Sequence, residues 1–207
     1  MCIRDTLYAS NIRINNISGT EIYGFGSSLK IRLKLDSDAN DSSGNGNNFT
    51  VSSTPDDNFG PVTIDGRTGW KFILPGDELT RTIDFNSLLG GRTVSMMFWL
   101  RSHISDEFGN GTSPSYIFYG GNIRLELNMS GSGGINFGAT FPGFGDNAGG
   151  DVDVDIWNHY AVTYNNSSST LKFYINGVLL KTSADKTSSA FGEYDMIIGG
   201  DDSQVLN

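Results

Sequence analysis

LKFYINGVLL, residues 171–180, predicts a β-hairpin and with it the class of the fold. Apolar and polar residues alternate before Asn176-Gly177, and a period of two is typical of a strand with one buried face. Asn-Gly is the favoured pair for a type I′ turn, whose twist matches that of the strands it joins. We therefore expect Phe173 and Ile175 to point into a core between two β-sheets.

The same period of two appears elsewhere in the chain. SLKIRLKL, residues 28–35, predicts a strand that turns Leu29, Ile31, Leu33 and Leu35 toward the core. The 27 glycines and the 12% aromatic residues suit many short strands joined by turns, so we expect an all-β protein. Further strands are predicted at residues 49–53, 62–64, 70–74, 80–85, 92–101, 116–119, 123–129, 159–164 and 194–198.

Charge and composition exclude several classes of partner. The chain has 23 acidic and 14 basic residues and a formal charge of -9, which would repel a nucleic acid backbone. A single cysteine permits no internal disulfide and no cysteine metal cluster. The longest apolar run, MMFWL at 96–100, is far shorter than the roughly 18 residues of a membrane span, and no signal peptide is visible in the first residues. We therefore expect neither nucleic acid binding nor membrane insertion.

Three segments together resemble the laminin G-like, concanavalin A-like jelly roll, from Leu29 to the end of the chain. LKLDSDANDSSGNGNNFTVSS (33–53) is similar to the opening strand and turn of that family, and GRTVSMMFWLRS (91–102) to its aromatic-Trp strand. WNHYAVTYNNSSSTLKFYINGVLL (157–180), followed by MIIGG (196–200), resembles its Trp-x-His strand, hairpin and Ile-Gly-Gly strand end. The resemblance implies a two-sheet antiparallel β-sandwich. The strand patterns around Trp99 and Trp157 predict that both side chains lie in or near the core.

The resemblance also implies a function. Members of this fold that lack catalytic motifs are binding modules, so we expect glycan recognition or adhesion within a larger surface, secreted or phage structural protein. Its partners would be a carbohydrate or cell-surface glycoconjugate and other domains of a longer chain. The expected location is extracellular, at a cell surface or on a virion. A purely structural spacer domain is the alternative.

The family pattern predicts an unusual domain boundary. After Ile198-Gly199-Gly200 the family continues into a closing strand, and a segment similar to that strand instead lies at residues 9–22. We expect residues 1–28 to be an N-terminal segment, the closing strand of a preceding repeat, and residues 29–207 to be a laminin G-like domain without its own last strand. Ile12, Ile14 and Ile17 would then fill the empty strand position. MCIRD resembles translated sequencing adapter, which would make the chain a piece of a longer environmental reading frame.

Asp36, Asp38, Asn40 and Asp41 are candidate calcium ligands. Calcium takes six to eight oxygen ligands, and this loop is rich in them. The spacing departs from an EF-hand, because Asp41 stands where that motif needs Gly. Calcium is common in laminin G-like domains, which favours the site. The alternative is that these side chains accept backbone hydrogen bonds in Asx turns.

Phe137, Phe141 and Phe144 are candidate ligand-binding residues. They lie in a glycine-rich stretch, residues 131–150, that we interpret as a loop. Aromatic side chains exposed on a loop can form a platform for the apolar face of a sugar. The alternative is that they fold back over the end of the sandwich.

An acidic stretch, DVDVD at 151–155, gives an enzymatic alternative. It would place three carboxylates on one strand face, and laminarinase-type glycoside hydrolases on this fold carry alternating acids on a strand. The family motif has Glu at its ends, however, and an acidic sheet edge that discourages pairing explains the stretch as well. His159 has no Ser or Cys motif to activate. We therefore expect no catalytic residue and no enzymatic activity.

Overall fold

The computed structural model describes residues 2–4, 29–52, 54–56, 59–72, 76–89, 94–102, 115–121, 123–129, 135–141, 144–148, 153–185 and 192–199. Within these residues the secondary structure is almost entirely β, and no helix is long and apolar enough to cross a membrane. The elements in chain order are β1 (Cys2–Arg4), β2 (Thr50–Val51), β3 (Gly60–Ile64), β4 (Arg67–Lys71), β5 (Glu78–Asp84), α1 (Phe85–Leu89), β6 (Val94–Arg101), β7 (Ser115–Gly120), β8 (Ile123–Met129), β9 (Ile135–Phe141), β10 (Phe144–Ala148), β11 (Trp157–Asn165), β12 (Thr170–Ile175), β13 (Val178–Ser183) and β14 (Glu193–Gly199).

The strands form two antiparallel sheets. The first sheet has the order β13-β12-β11-β6-β1-β4-β3, and the second has the order β10-β9-β8-β7-β14-β5-β2. Each sheet turns one face toward a shared core and the other toward solvent, as alternation along the strands requires. The prediction of an all-β, two-sheet antiparallel jelly roll is confirmed.

One apolar cluster fills the space between the sheets. The first sheet contributes Trp70, Phe98, Tyr160 and Phe173, and the second contributes Leu79, Phe137, Phe141 and Met196, all buried. The rings pack closely: those of Phe98 and Tyr160 stack with centroids 5.4 Å apart, and that of Phe137 meets the ring of Phe173 edge-on at 5.7 Å. Burying each side chain of this size contributes about 1.5 to 3 kcal/mol, so the cluster is the main source of stability.

The hairpin at residues 171–180 forms as predicted. Asn176 and Gly177 both have positive φ, 50° and 80°, as a type I′ turn requires. Phe173 is fully buried and Ile175 packs against the core. The Asn176 side chain adds two bonds: its Oδ1 accepts from the backbone N–H of His159 at 2.8 Å, and its Nδ2 donates to Asn158 Oδ1 at 2.8 Å. The turn is thereby attached to β11.

Residues 29–35 bury the predicted side chains without forming the predicted strand. Ile31, Leu33 and Leu35 are in the core, as expected, whereas Leu29 is half-buried. The segment makes only an isolated bridge between Leu33 and Asp41 within the described part of the chain. Leu35 has a φ of 54°, so the backbone leaves the extended conformation there. Apolar alternation therefore predicted burial correctly and sheet pairing incorrectly.

β1 lies inside the first sheet, between β4 and β6. Ile3 is the partner of both Trp70 and Leu100 in the two ladders. The segment that we predicted to fill the position of the missing closing strand, with Ile12, Ile14 and Ile17, lies outside the described residues. The division into residues 1–28 and 29–207 stays a prediction.

The glycine-rich stretch at 131–150 contains strands where we predicted a loop. β9 and β10 form an antiparallel hairpin in which Phe137 pairs with Ala148 and Gly138 with Asn147. A Cβ on Gly138 would collide with Asn147 Oδ1, and one on Gly145 would lie 2.9 Å from Thr140 Oγ1. These glycines therefore allow close cross-strand packing, and their number does not indicate a loop.

Candidate functional site

A continuous row of residues crosses the outer face of the second sheet. Each member is the ladder partner of the next, on β2, β5, β14, β7, β8, β9 and β10 in that order. The members of this transverse row are Thr50, Thr80, Ile197, Tyr119, Arg124, Thr140 and Gly145. Their chain neighbours, such as Leu79 and Ile198, are buried, so the row faces solvent.

A polar groove of about 600 Å³ lies at the β2 end of the transverse row. Three threonines on β2 and β5 line it together with charged groups on β5 and β14: Thr50, Thr80, Thr82, Glu78, Arg81 and Asp195. Thr82 Oγ1 donates to Asp195 Oδ1 at 2.6 Å, and Arg81 donates to the carbonyl of Asn48 at 3.3 Å. The groove offers hydroxyl, carboxylate and guanidinium groups on one surface.

An aromatic and a cation lie at the centre of the transverse row. The guanidinium of Arg124 is 5.2 Å from the centroid of the Tyr119 ring, within the range of a cation–π contact. Both side chains are half-buried, and Ile197 is the neighbour of Tyr119 on β14. Tyr119 and Ile197 therefore give the row an apolar centre between polar ends.

The predicted aromatic platform is wrong for two of its three residues. Phe137 and Phe141 belong to the core, with 0% and 1% of their surface exposed. They lie on β9 and alternate with Gly138 and Thr140, so the period of two turns them inward. Phe144 begins β10, and its side chain lies outside the described part of the structure. Neither Phe137 nor Phe141 can contact a ligand on the surface.

The loop that carries the predicted calcium ligands is held by the carboxylate of Asp41. Its Oδ1 accepts from the backbone N–H groups of Arg32 and Ser43, at 2.8 and 2.9 Å. Its Oδ2 accepts from the backbone N–H of Asn47 at 2.9 Å and from the Ser43 hydroxyl at 2.8 Å. Both oxygens are thus engaged inside the loop, as in the Asx-turn alternative.

The other predicted ligands do not converge on Asp41. Asp36, Asp38 and Asn40 are exposed, and Asp38 Oδ1 accepts the backbone N–H of Asn40 at 2.9 Å. Across the described residues, no group of three or more His, Cys, Asp or Glu side chains is placed to hold a metal ion. The arrangement does not fit a calcium site of six to eight ligands, and calcium binding stays a prediction for titration.

The acidic stretch before β11 does not form a strand face where it is described. Asp153 and Asp155 lie in an irregular segment, and Asp151 lies outside the described residues. Asp155 has a φ of 59°, which interrupts the alternation that would align the carboxylates. Its Oδ1 is instead 3.6 Å from an Arg101 nitrogen. Where it is described, the stretch therefore lacks the alternating carboxylates that the laminarinase-type alternative would need.

Two tryptophans that we predicted in or near the core lie on the outer face of the first sheet. Trp99 is half-buried beside His159, with ring centroids 5.2 Å apart. Trp157 is also half-buried, and its Nε1 donates to the carbonyl of Ile64 at 2.9 Å. The sequence carries no signal that separates Trp99 from its neighbours, because residues 96–100 are all apolar and show no alternation.

Solved structures share this fold at low sequence identity. Domain 4 of the extracellular GH43 arabinanase AbnA from Geobacillus stearothermophilus, in complex with arabinotriose, matches with a TM-score of 0.51 and 16% identity over 79% of both chains. The binding domain of botulinum neurotoxin serotype D matches with a TM-score of 0.60 and 19% identity, over 86% of this chain and 43% of the toxin chain. The receptor binding domain of the C/D mosaic neurotoxin gives 0.56 and 19%, over 80% and 42%. The chain thus spans less than half of these toxin domains, and the likeness to all three shows the fold.

Sequence comparison assigns the family. No curated protein sequence matches the chain significantly. The family model Laminin_G_3, described as the concanavalin A-like lectin/glucanases superfamily, matches residues 74–206. This match covers more than half of the 207 residues and includes β5 to β14. The chain belongs to the Laminin_G_3 family of the concanavalin A-like lectin/glucanases superfamily.

Proposed function

We propose that this chain is a non-catalytic carbohydrate-binding module whose ligand lies along the transverse row. The observation that carries the proposal is the row itself, which runs without interruption across all seven described strands of the second sheet. It combines a polar groove at one end with Tyr119 and Ile197 at its centre.

The chemistry of the row suits a sugar. A saccharide presents hydroxyl groups that pair with polar side chains and C–H faces that pack on apolar or aromatic side chains. The threonine hydroxyls and the Glu78 and Asp195 carboxylates can bond to the sugar hydroxyl groups. Tyr119 and Ile197 can pack against the C–H faces of the sugar rings. No step of this interaction requires a metal or a nucleophile.

The length of the row favours an extended ligand. Adjacent strands lie about 4.8 Å apart, so six steps between seven strands span roughly 29 Å. A single terminal sugar would contact only one or two strands. We therefore propose that the module binds an internal stretch of a linear oligosaccharide, in an extracellular setting and as one part of a longer protein.

The arabinanase domain suggests the first probe, because its structure contains arabinotriose. Wild-type protein, Tyr119→Ala and Tyr174→Ala would be compared on a glycan array that includes arabino-oligosaccharides. Tyr174 is the matched control, since it is a half-buried tyrosine on β12, in the other sheet. We expect the wild type and Tyr174→Ala to bind the same glycans and Tyr119→Ala to lose about tenfold or more in affinity.

Three outcomes would oppose the proposal. Equal binding by all three proteins would remove the transverse row from the site, and no binding to any glycan would favour a structural spacer. Measurable hydrolysis of laminarin or agarose that is lost in Asp153→Asn would instead support the glycoside hydrolase alternative. Thermal melting of each variant shows whether a loss of binding reflects a loss of fold.

A further inference from the structure

The outer face of the first sheet carries a second group of side chains that the transverse row does not use. Arg67 and Lys71 lie four residues apart on β4, an even separation that puts them on one face of the strand. The buried Trp70 next to Lys71 shows that this face points away from the core. Trp99 on β6 and His159 on β11 are partners in the ladder of the same sheet. Arg67, Trp99 and His159 form a basic and aromatic cluster, and Lys71 lies further along the same face of β4, in a chain of net charge -9.

Arg67 is held in a defined orientation by Trp99. Its guanidinium carbon is 4.1 Å from the centroid of the indole ring, the distance of a stacked cation–π contact. Stacking occupies the face of a guanidinium but leaves the N–H groups at its edge able to donate hydrogen bonds. Two of these N–H groups match the spacing of two oxygens of a carboxylate or sulfate. Trp99 therefore orients Arg67 for bidentate recognition of an anion.

No acidic residue of the described chain pairs with the guanidinium of Arg67. Among the residues with described side chains, neither Arg67 nor Lys71 makes an ion pair. Arg101, on the same face, shows the contrast: its guanidinium nitrogens lie 3.5 Å from Asp65 and 3.6 Å from Asp155. Arg101 is thus paired with two carboxylates of the fold, whereas Arg67 has no carboxylate partner among the residues that the structure describes.

His159 supplies a different kind of contact beside the same indole. Burial lowers the pKa of its imidazole, so the ring is neutral at physiological pH and offers one donor and one acceptor. Its backbone is fixed by Asn176, whose Oδ1 accepts from the His159 N–H at 2.8 Å. A neutral imidazole at this place can bond to a hydroxyl group.

We propose that Arg67 and His159, which both contact Trp99, form with the more distant Lys71 a second binding site, specific for an acidic saccharide. Arg67 binds one carboxylate or sulfate in bidentate fashion and His159 meets a ring hydroxyl. Lys71, about 13 Å further along β4, meets an acid group on another sugar of the same oligosaccharide. The site lies on the sheet opposite the transverse row and goes beyond the proposed function. A module with both sites would hold two glycan chains, one on each face.

Saccharide fits this site better than nucleic acid does. A nucleic acid is a long polyanion, so it would extend past these basic residues onto a surface with excess acid, where it would be repelled. A short acidic oligosaccharide is not forced onto that surface, and it presents hydroxyl groups beside its charges, which suits two cations and one neutral imidazole. The lectin-like family of the chain points to the same class.

Calorimetric titration of the whole chain tests the site with a matched pair of probes. The acid probes are a galacturonic acid hexamer and a heparin hexasaccharide, and the neutral probe is the methyl-esterified galacturonate hexamer. We expect at least one acid probe to bind and the ester to bind about tenfold more weakly or worse. Binding of the acid should weaken as salt rises from about 50 to about 500 mM, because salt screens the ionic contribution.

Variants separate the site from general attraction of charge. Arg67→Gln should lose about tenfold or more in affinity for the acid probe, and Arg67→Lys should bind at an intermediate level because it keeps the charge without the planar fork. Lys172→Gln is the control, since Lys172 is a half-buried lysine on β12 that faces away from the core. It should bind as the wild type does, and melting temperatures confirm that the variants fold.

The result for Tyr119→Ala distinguishes this site from the transverse row. That variant should lose the neutral glycan and keep the acid probe, and Arg67→Gln should do the reverse. Failure of both acid probes to bind, equal binding of acid and ester, or unchanged binding by Arg67→Gln would overturn the acidic-saccharide site. Tighter binding of a short oligothymidylate than of the acid hexamers would replace it with a nucleic acid site.

Discussion

The carboxylate of Asp146 accepts a 2.6 Å hydrogen bond from the ammonium group of Lys181 and joins the edges of the two sheets. Asp146 lies on β10, an edge strand of the second sheet, and Lys181 lies on β13, an edge strand of the first sheet. The Ser183 hydroxyl donates to the other carboxylate oxygen. An ion pair with a hydrogen-bonded neighbour therefore closes one side of the sandwich.

This contact predicts a loss of stability in acid. Burial raises the pKa of Asp146, but the hydrogen bonds from Lys181, Ser183 and the Asn147 N–H, with the Lys181 charge, outweigh it and lower the pKa from 3.8 to about 2. The folded state thus prefers the ionised carboxylate, so the contribution is complete above pH 4 and is lost as the pH falls through about 2. Because the pair is partly exposed, we expect it to contribute about 1 to 2 kcal/mol.

Urea titration from neutral pH down to about pH 2 checks this prediction. Asp146→Asn should be less stable by about 1 to 2 kcal/mol at neutral pH, and the difference from wild type should shrink in acid. Asp185→Asn is the control, because Asp185 is exposed and its loss should change little. A constant difference at every pH would contradict the role of the charge.

Truncation of Phe137 should lower the stability of the fold and should not remove a contact with a ligand, because the side chain is buried. Its ring contacts those of Phe98, Tyr160 and Phe173 with centroids 6.1, 5.1 and 5.7 Å away. We expect Phe137→Ala to cost about 3 to 5 kcal/mol of unfolding free energy, and Phe137→Leu less, because a cavity forms in a packed core. A variant with unchanged melting temperature that loses only glycan binding would restore the exposed platform.

Removal of the Asp41 carboxylate should destabilise the loop whether or not calcium is present. Asp41→Ala leaves three N–H groups and one hydroxyl without their acceptor, at a cost of about 2 to 4 kcal/mol. Asp38→Ala, which breaks one exposed bond to Asn40, should cost less than about 1 kcal/mol. Melting in calcium and in chelator checks both, and a calcium-dependent rise in wild-type stability that Asp38→Ala abolishes would favour a metal site.

Asn176 should stabilise the hairpin in two separable ways. Asn176→Gly keeps the positive φ but removes the bonds to His159 and Asn158, whereas Asn176→Ala also strains the backbone. We expect losses of about 1 to 2 kcal/mol for Gly and about 2 to 3 kcal/mol for Ala. Equal losses in chemical denaturation would show that the backbone conformation contributes nothing.

The sequence predicted most strands because their signals are local. The hairpin at Asn176-Gly177 can be predicted from its turn pair and from the alternation before it. The structure confirms both the turn conformation and the strand pairing. The β9 and β10 hairpin was missed because glycine is a loop signal in isolation. Only the partner strand shows that Gly138 accommodates Asn147.

The sequence by itself determined the all-β class, the positions of most strands and the turn between β12 and β13, because each depends on residues close together in the chain. Only the tertiary structure decided which face of a strand is covered, since alternation defines two faces and does not say which one meets the other sheet. That choice buries Phe137 and Phe141 and leaves Trp99, Tyr119 and Arg67 on the surfaces proposed for binding. The same holds for Asp41, whose carboxylate is used by backbone groups that folding brings to it.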